Sequence, residues 1–294
     1  MMFHMSNDSH LFNEQERFDF LPLYEGKMCD FYDHRAASYE TRGSDRGYRV
    51  LPPTSLTNHQ NPAYRTAPFY WVSKEDVKDR LPSDWNRLWL PVFKKITAPT
   101  NERTFLTSLL PYCGVGDSMN LVLPALTNGF PKIAALIGNL AAITLDYVAR
   151  QKIGGVNTNY FHVRQLPVIS PDVYTEADLA YIVPRVLELT YTAHDLAPWA
   201  QDLDYDGPPY AFDPDRRAVL RAELDAWYAR LYGLTRDDLR YILDPSDVMG
   251  DDYPSETFRV LQKNEMREFG EYRTQRLVLE AWDHIESPRW TMLP

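Results

Sequence analysis

The stretch that decides the reading of this chain runs Pro131-Lys132-Ile133-Ala134-Ala135-Leu136-Ile137-Gly138-Asn139-Leu140-Ala141-Ala142-Ile143-Thr144-Leu145-Asp146-Tyr147-Val148-Ala149-Arg150-Gln151-Lys152-Ile153-Gly154-Gly155-Val156-Asn157-Thr158-Asn159-Tyr160-Phe161. Pro131 opens a helix, since a proline in the first turn sacrifices no hydrogen bond. Ile133, Leu136, Ile137, Leu140, Ile143 and Leu145 return at helical spacing and cover a broad apolar face. Gly154 is expected to stop that helix. A polar-aromatic strand then follows, Tyr160 through Ile169, broken by Pro167. Alternation along the segment that holds Asn157, Asn159 and Tyr160 would set the two asparagines on one face. Arg150, Lys152, the two asparagines and Tyr160 are thereby delivered to one edge of a scaffold. Such residues contact phosphates and base edges. A purely structural corner, with Arg150 paired to Asp146 one turn back, uses the same residue types.

Beyond this stretch the chain turns helical. Thr175 with Asp178 makes a capping-box start, and Pro184 divides or kinks the helix that follows. Asp213-Pro214 is an N-cap followed by proline at the first helical position. Val219, Leu220, Leu224, Trp227, Tyr228 and Leu231 then recur at helical spacing, and Gly233 supplies the stop. Thr235 and Asp238 begin a short helix ending near Leu243. Residues 265–286 read as one last amphipathic helix.

Upstream, short apolar runs such as Phe69-Tyr70-Trp71-Val72 and Leu88-Trp89-Leu90-Pro91-Val92-Phe93 are separated by Pro, Asn, Asp and Ser, the pattern of short strands and loops. Residues 41–66 show no period and read as a long loop or a partly disordered insert. The fold class is therefore α+β: an irregular mixed α/β half, residues 1–170, followed by a mostly helical half, residues 171–294.

The 294 residues carry a net charge of −10, which argues against a uniformly basic nucleic-acid binder. The charge is unevenly placed. Residues 1–165 hold 18 Lys and Arg against 16 Asp and Glu, while residues 166–294 hold 13 against 25. Residues 35–103 alone hold 12 against 7. A neutral-to-basic working half and an acidic half facing elsewhere fit this asymmetry. So would two ordinary solvated faces. The 44% apolar fraction suffices for a packed core, and no run of eighteen apolar residues is present, so no membrane span is expected. Residues 1–8 lack the basic and apolar regions of a signal peptide. Cys29 and Cys113 are the two cysteines, far apart, as suits buried thiols in a reducing cytoplasm.

Several short motifs bear on chemistry. Asn61-Pro62-Ala63-Tyr64 is similar to the Asn-Pro-Pro-Tyr motif of amino-group DNA methyltransferases, where the Asn and the prolyl carbonyl bond an extruded base. The second proline is absent, and neither an apolar strand nor an upstream glycine-rich cofactor loop accompanies it. Cys113-Gly114-Val115-Gly116-Asp117-Ser118 lacks the spacing of a phosphate or dinucleotide loop and reads as a turn. Glu25-Gly26-Lys27 has the spacing of a metal-dependent nuclease, without a suitably placed upstream Asp. Asp30, Asp33 and His34 have no further His or Cys at ligand spacing, so hydrogen-bonded structural roles are expected. His194-Asp195 reads as a helix-end pair, and no Gly-x-Ser-x-Gly occurs. No catalytic, cofactor or metal residue is assigned.

What remains is a set of polar residues suited to a DNA surface: Lys27, Arg35, Arg42, Arg46, Arg49, Lys94, Lys95, Asn101, Arg103, Arg150, Lys152, Asn157, Asn159, Tyr160 and Arg164.

Leu23-Tyr24-Glu25-Gly26-Lys27-Met28, followed by Phe31-Tyr32-Asp33-His34-Arg35 and Tyr39, resembles the region after the catalytic domain in large bacterial adenine-specific DNA methyltransferases. These are the type IIG-like and PglX-like enzymes of restriction and phage defence. The similarity continues through Phe69–Val72, Thr100–Thr104, Asp146–Gly155, Gln165–Pro167, Leu187–Thr192, Gly207–Pro209, Asp215–Arg217, Arg221–Ala226, Leu231–Leu234 and Gly270–Thr274, and covers most of residues 3–286. The resemblance implies a target-recognition region with its helical continuation, binding double-stranded DNA. It implies that S-adenosylmethionine and the methyl transfer belong to a methylase domain outside this chain or on a partner, or to another restriction or defence subunit. The acidic half would dock on that neighbour, since acid repels phosphate, with Trp199, Trp227 and Tyr228 in its amphipathic segments. The alternatives are a stand-alone nuclease using Glu25 and Lys27, or a defence-complex scaffold that does not touch DNA.

Overall fold

The structure, a computed structural model, describes residues 1–41, 50–98, 101–254 and 257–286. In chain order its elements are β1 (Phe20–Tyr24), α1 (Leu56–Gln60), β2 (Trp71–Ser73), α2 (Lys74–Asp79), β3 (Trp89–Lys94), β4 (Thr107–Pro111), β5 (Gly114–Val115), β6 (Met119–Leu121), α3 (Phe130–Ala141), α4 (Ile143–Lys152), α5 (Tyr160–Val163), α6 (Glu176–Thr190), α7 (Ala197–Asp202), α8 (Pro214–Leu231), α9 (Arg236–Leu243), α10 (Pro245–Met249), α11 (Arg259–Phe269) and α12 (Arg273–Glu286). The class is α+β, mixed in the N-terminal half and helical in the C-terminal half. The chain forms two compact units that are discontinuous in sequence: Met1–Ile96 with Leu106–Ile137 and Tyr174–Phe212, and Thr97–Phe105 with Gly138–Val173 and Asp213–Pro294.

The first unit carries two three-stranded sheets, in the orders β2-β1-β5 and β4-β3-β6. β3 is apolar over most of its length and is buried from Trp89 to Phe93, with antiparallel neighbours on both sides. A central strand covered on both faces needs that continuous apolar run. Trp89 meets Trp199 and Trp85 edge-on, at centroid distances of 4.7 and 5.2 Å, and its indole N–H donates to Asp202 at 2.7 Å. The glycine-rich run is a turn only at Asp117–Ser118, where the Met119 amide donates to the Gly116 carbonyl at 3.1 Å. Gly114–Val115 forms β5, parallel to β1, because Gly114 is the only size that fits: a Cβ there would lie 2.5 Å from Val72 Cγ2. α6 is capped by Thr175 as expected and runs unbroken through Pro184. Cys29 and Cys113 are both free and buried, and burial raises the Cys29 thiol to about 11.

The second unit is helical. α12 lies along α8, and Val278, Trp282 and Ile285 of α12 and Leu220, Leu224 and Tyr228 of α8 are all buried. Asp213 caps α8 through the Asp215 and Arg216 amides, Pro214 takes the first helical position, and Gly233 follows at φ +73°. Thr235 and Asp238 cap α9. Residues 265–286 are not one helix: Gly270, in the left-handed conformation, separates α11 from α12. Trp199 in the first unit and Tyr228 in the second are fully buried, so neither contributes to a docking surface.

Candidate nucleic-acid interface

The long apolar helix expected from Pro131 to Gly154 is broken. α3 ends at Ala141, Ala142 adopts an extended conformation, and α4 departs at 56°. Neither proline nor glycine stands at the break. Its open backbone groups are answered from far along the chain. The Ile143 amide donates to Asp225 Oδ1 at 2.7 Å, and the Ala141 carbonyl accepts from Arg103 Nη2 at 2.6 Å. A buried helix end requires such partners. Burial raises the Asp225 carboxyl to about 6, against the opposing pull of Arg103, the Ile143 amide and Arg221.

Asp146, in the first turn of α4 and fully buried, knits the next layer. It accepts from Arg103 Nε at 2.9 Å, from the Phe105 amide at 2.6 Å and from the Thr104 amide at 3.0 Å. Arg150, one turn on, lies 3.8 Å from Asp146, donates to the Asn101 carbonyl at 2.7 Å and to that of Glu102, and rests over the Phe258 ring. Thr97 Oγ1 donates to the Thr104 carbonyl, and the Thr97 amide donates to the Val156 carbonyl at 3.0 Å. The segment after α4 is thus tied through residues 97–105 back to Asp146.

That segment is a loop and a short helix, not a strand. Ile153, in a non-left-handed conformation, terminates α4, and Gly154 has no positive φ. Residues 160–169 contain α5 and no strand, so alternation does not order Asn157 and Asn159. The segment is pinned at buried Ile153, Thr158 and Leu166. Tyr232 OH donates to the Pro167 carbonyl, and the Ile169 amide donates to Asn139 Oδ1. Lys152, at the end of α4, is exposed, and between the pins so are Gly154, Gly155, Asn157, Asn159 and Arg164, along with Val156, Tyr160 and Phe161. A Cβ at Gly154 or Gly155 would meet no atom within 4 Å, which leaves the backbone open to close approach. No Asp or Glu occurs from Tyr147 to Pro171. In a chain of net charge −10, this run holds Arg150, Lys152 and Arg164.

The other candidates separate by environment. Arg42, Arg46 and Arg49 lie outside the described residues. Arg35 is not a surface residue: it is fully buried, and its guanidinium donates to the carbonyls of His59, Asn61, Tyr64 and Thr192. Arg103 and Arg150 are engaged around Asp146 as above. Lys27 lies 3.5 Å from Glu25 and over the Tyr39 ring. Lys94 and Lys95 are half-buried at the end of β3, and Asn101 is exposed with its carbonyl held by Arg150.

The remaining motifs have structural partners. In Asn61–Tyr64 the Pro62 carbonyl accepts from the His194 amide at 3.0 Å, and Asn61 Oδ1 accepts from the Ala63 amide. The groups that would hold a base amino group are therefore occupied. Asp33 pairs with His59, which stacks on Phe212, and Asp195 pairs with His34 rather than with its neighbour His194. Burial pushes the Asp195 carboxyl up, but His34, Arg35 and Arg65 hold it below its ordinary value. Glu25 accepts from Tyr39 OH at 2.8 Å. Among the described residues no group of three or more His, Cys, Asp or Glu could hold a metal ion, and no single helix is long and apolar enough to cross a membrane.

No protein-family model, no curated protein and no solved structure matches this chain.

Proposed function

We propose that this chain is the DNA target-recognition portion of an adenine-specific DNA methyltransferase system, reading duplex DNA through the surface between Lys152 and Arg164. The observation that carries the reading is the acid-free stretch 147–171, anchored at both ends and exposing Lys152, Asn157, Asn159 and Arg164. Lysine and arginine there would hold phosphates and fix register, while asparagine amides would bond base edges. The sequence resemblance to the post-catalytic region of type IIG-like and PglX-like enzymes points the same way. Methyl transfer and its S-adenosylmethionine would then belong to a separate methylase domain or partner subunit. The nuclease reading draws no support from Glu25 and Lys27, which engage one another and Tyr39.

Fluorescence anisotropy of the full chain on duplex DNA across a salt series tests this. Lys152→Ala and Arg164→Ala should each weaken binding to all sequences and flatten the salt slope by about one unit. Unchanged affinity and slope in both variants would overturn the reading.

A further inference from the structure

Phe161 is 72% exposed, and Val156 and Tyr160 nearby are 65% and 45% exposed. Phe3, Phe93, Phe105 and Phe258, by contrast, are almost wholly enclosed. Two other phenylalanines are exposed, and both have a cation over the ring, Lys74 over Phe18 and Arg273 over Phe269. Phe161 instead meets the His162 ring at its edge, at 67° and 5.8 Å. The backbone beneath it is held: the Phe161 carbonyl accepts from Gln165 Nε2 at 3.1 Å, and the Arg164 amide donates to the Tyr160 carbonyl at 2.9 Å. An aromatic ring facing solvent from a hydrogen-bonded backbone, inside a run without acidic residues and between Lys152 and Arg164, is a specific chemical arrangement.

Resting on the DNA-binding reading above, we infer that Phe161 is a stacking platform for an unpaired nucleobase. A base inside a duplex offers only its edge to a protein, because both of its faces are covered by its neighbours. A phenylalanine ring offers the opposite, a flat apolar face without donors or acceptors. The two surfaces match only when the base has left the stack, and then stacking stabilises the contact without demanding one base identity. The flanking cations supply the attraction for the phosphates on either side. Asn157 and Asn159 are exposed on the same short segment and carry the amide groups that bond an extruded base's edge.

The test compares three fluorescent probes on the full chain: a perfect duplex, the same duplex with a single-nucleotide bulge, and the corresponding single strand. The bulged duplex should bind roughly tenfold more tightly than the perfect one, in line with stacking of one base. Phe161→Ala should remove that preference, so that bulged and perfect duplex bind alike. Phe161→Leu, which keeps apolar bulk and loses the aromatic face, should remove it too, whereas Phe161→Trp should retain it. Equal binding of bulged and perfect duplex by the unaltered chain would overturn the stacking role alone and leave duplex recognition standing. Loss of all three affinities together in Phe161→Ala, with unchanged circular dichroism, would also overturn it in favour of general apolar docking. Failure to bind any of the three probes would overturn both proposals.

Discussion

Asp225 Oδ1 accepts the Ile143 amide at 2.7 Å across 82 residues of sequence. A helix N-terminus is usually capped by the residue just before it. At α4 that residue is Ala142, which has no side-chain acceptor, and the cap comes from the middle of α8. The carboxylate is fully buried beside Arg103, and the break between α3 and α4 depends on both.

This cap predicts a pH dependence. Burial raises the Asp225 carboxyl from 3.8 to about 6 in the folded chain. The folded state therefore takes up the proton first as pH falls, so this residue's contribution to stability rises as pH drops through about 6 and levels off below about 4. The change is on the order of 3 kcal/mol. Asp225→Asn keeps an acceptor for Ile143 and removes the charge. It should flatten this part of the stability profile and raise the melting temperature at pH 7.5, while Asp225→Ala should lower it. Parallel pH profiles for the original chain and Asp225→Asn would contradict the assignment.

Asp146→Ala removes the common acceptor of Arg103, Thr104 and Phe105. Leaving the half-buried Arg103 guanidinium and two buried amides without it should cost about 3 kcal/mol, read as a lower urea midpoint. Amide exchange at Thr104 and Phe105 should accelerate with it. A loss under about 1 kcal/mol, the size expected of an exposed ion pair, would show that the carboxylate is not the hub.

Gly114→Ala should destabilise by about 1–3 kcal/mol through overpacking, since the new methyl would stand 2.5 Å from Val72 Cγ2 and 3.0 Å from Leu23 Cδ1. Adding Val72→Ala should recover part of that loss. Denaturant titration of the two single variants and the double variant gives the coupling directly; strict additivity would rule out the clash.

Asn157→Ala should act differently from the charge variants. The Asn157 side chain is exposed and its backbone forms a β-bridge that alanine also permits, so the fold should be unaffected. On a selected target duplex it should cost roughly 1–3 kcal/mol of discrimination at one base pair with the salt slope unchanged. Binding-site selection on randomised duplexes returning the same preference as the unaltered chain would exclude Asn157 as a base contact.

Features whose physics is local are legible in the residue order. Thr175 with Asp178, Asp213 with Pro214, and Thr235 with Asp238 place three helix starts, because a cap bonds amides two or three residues away. Gly233 marks a stop for the same reason, and Gly270 carried the same signal although the periodicity around it reads as a single helix. The apolar runs at Trp71 and Trp89 mark strands. The exposed cluster around Lys152 was legible as residue types, without its geometry. Only the tertiary structure decided the rest. Nothing between Pro131 and Gly154 marks a break at Ala142, since its acceptors and donors stand at Asp225 and Arg103. Gly114–Val115 becomes a strand only because β1 lies beside it. Arg35, Arg103 and Arg150 look in sequence like Lys152 and Arg164. What separates them is whether folding surrounds the guanidinium with carbonyls and a carboxylate or leaves the charge in water, and that depends on contacts formed dozens of residues away.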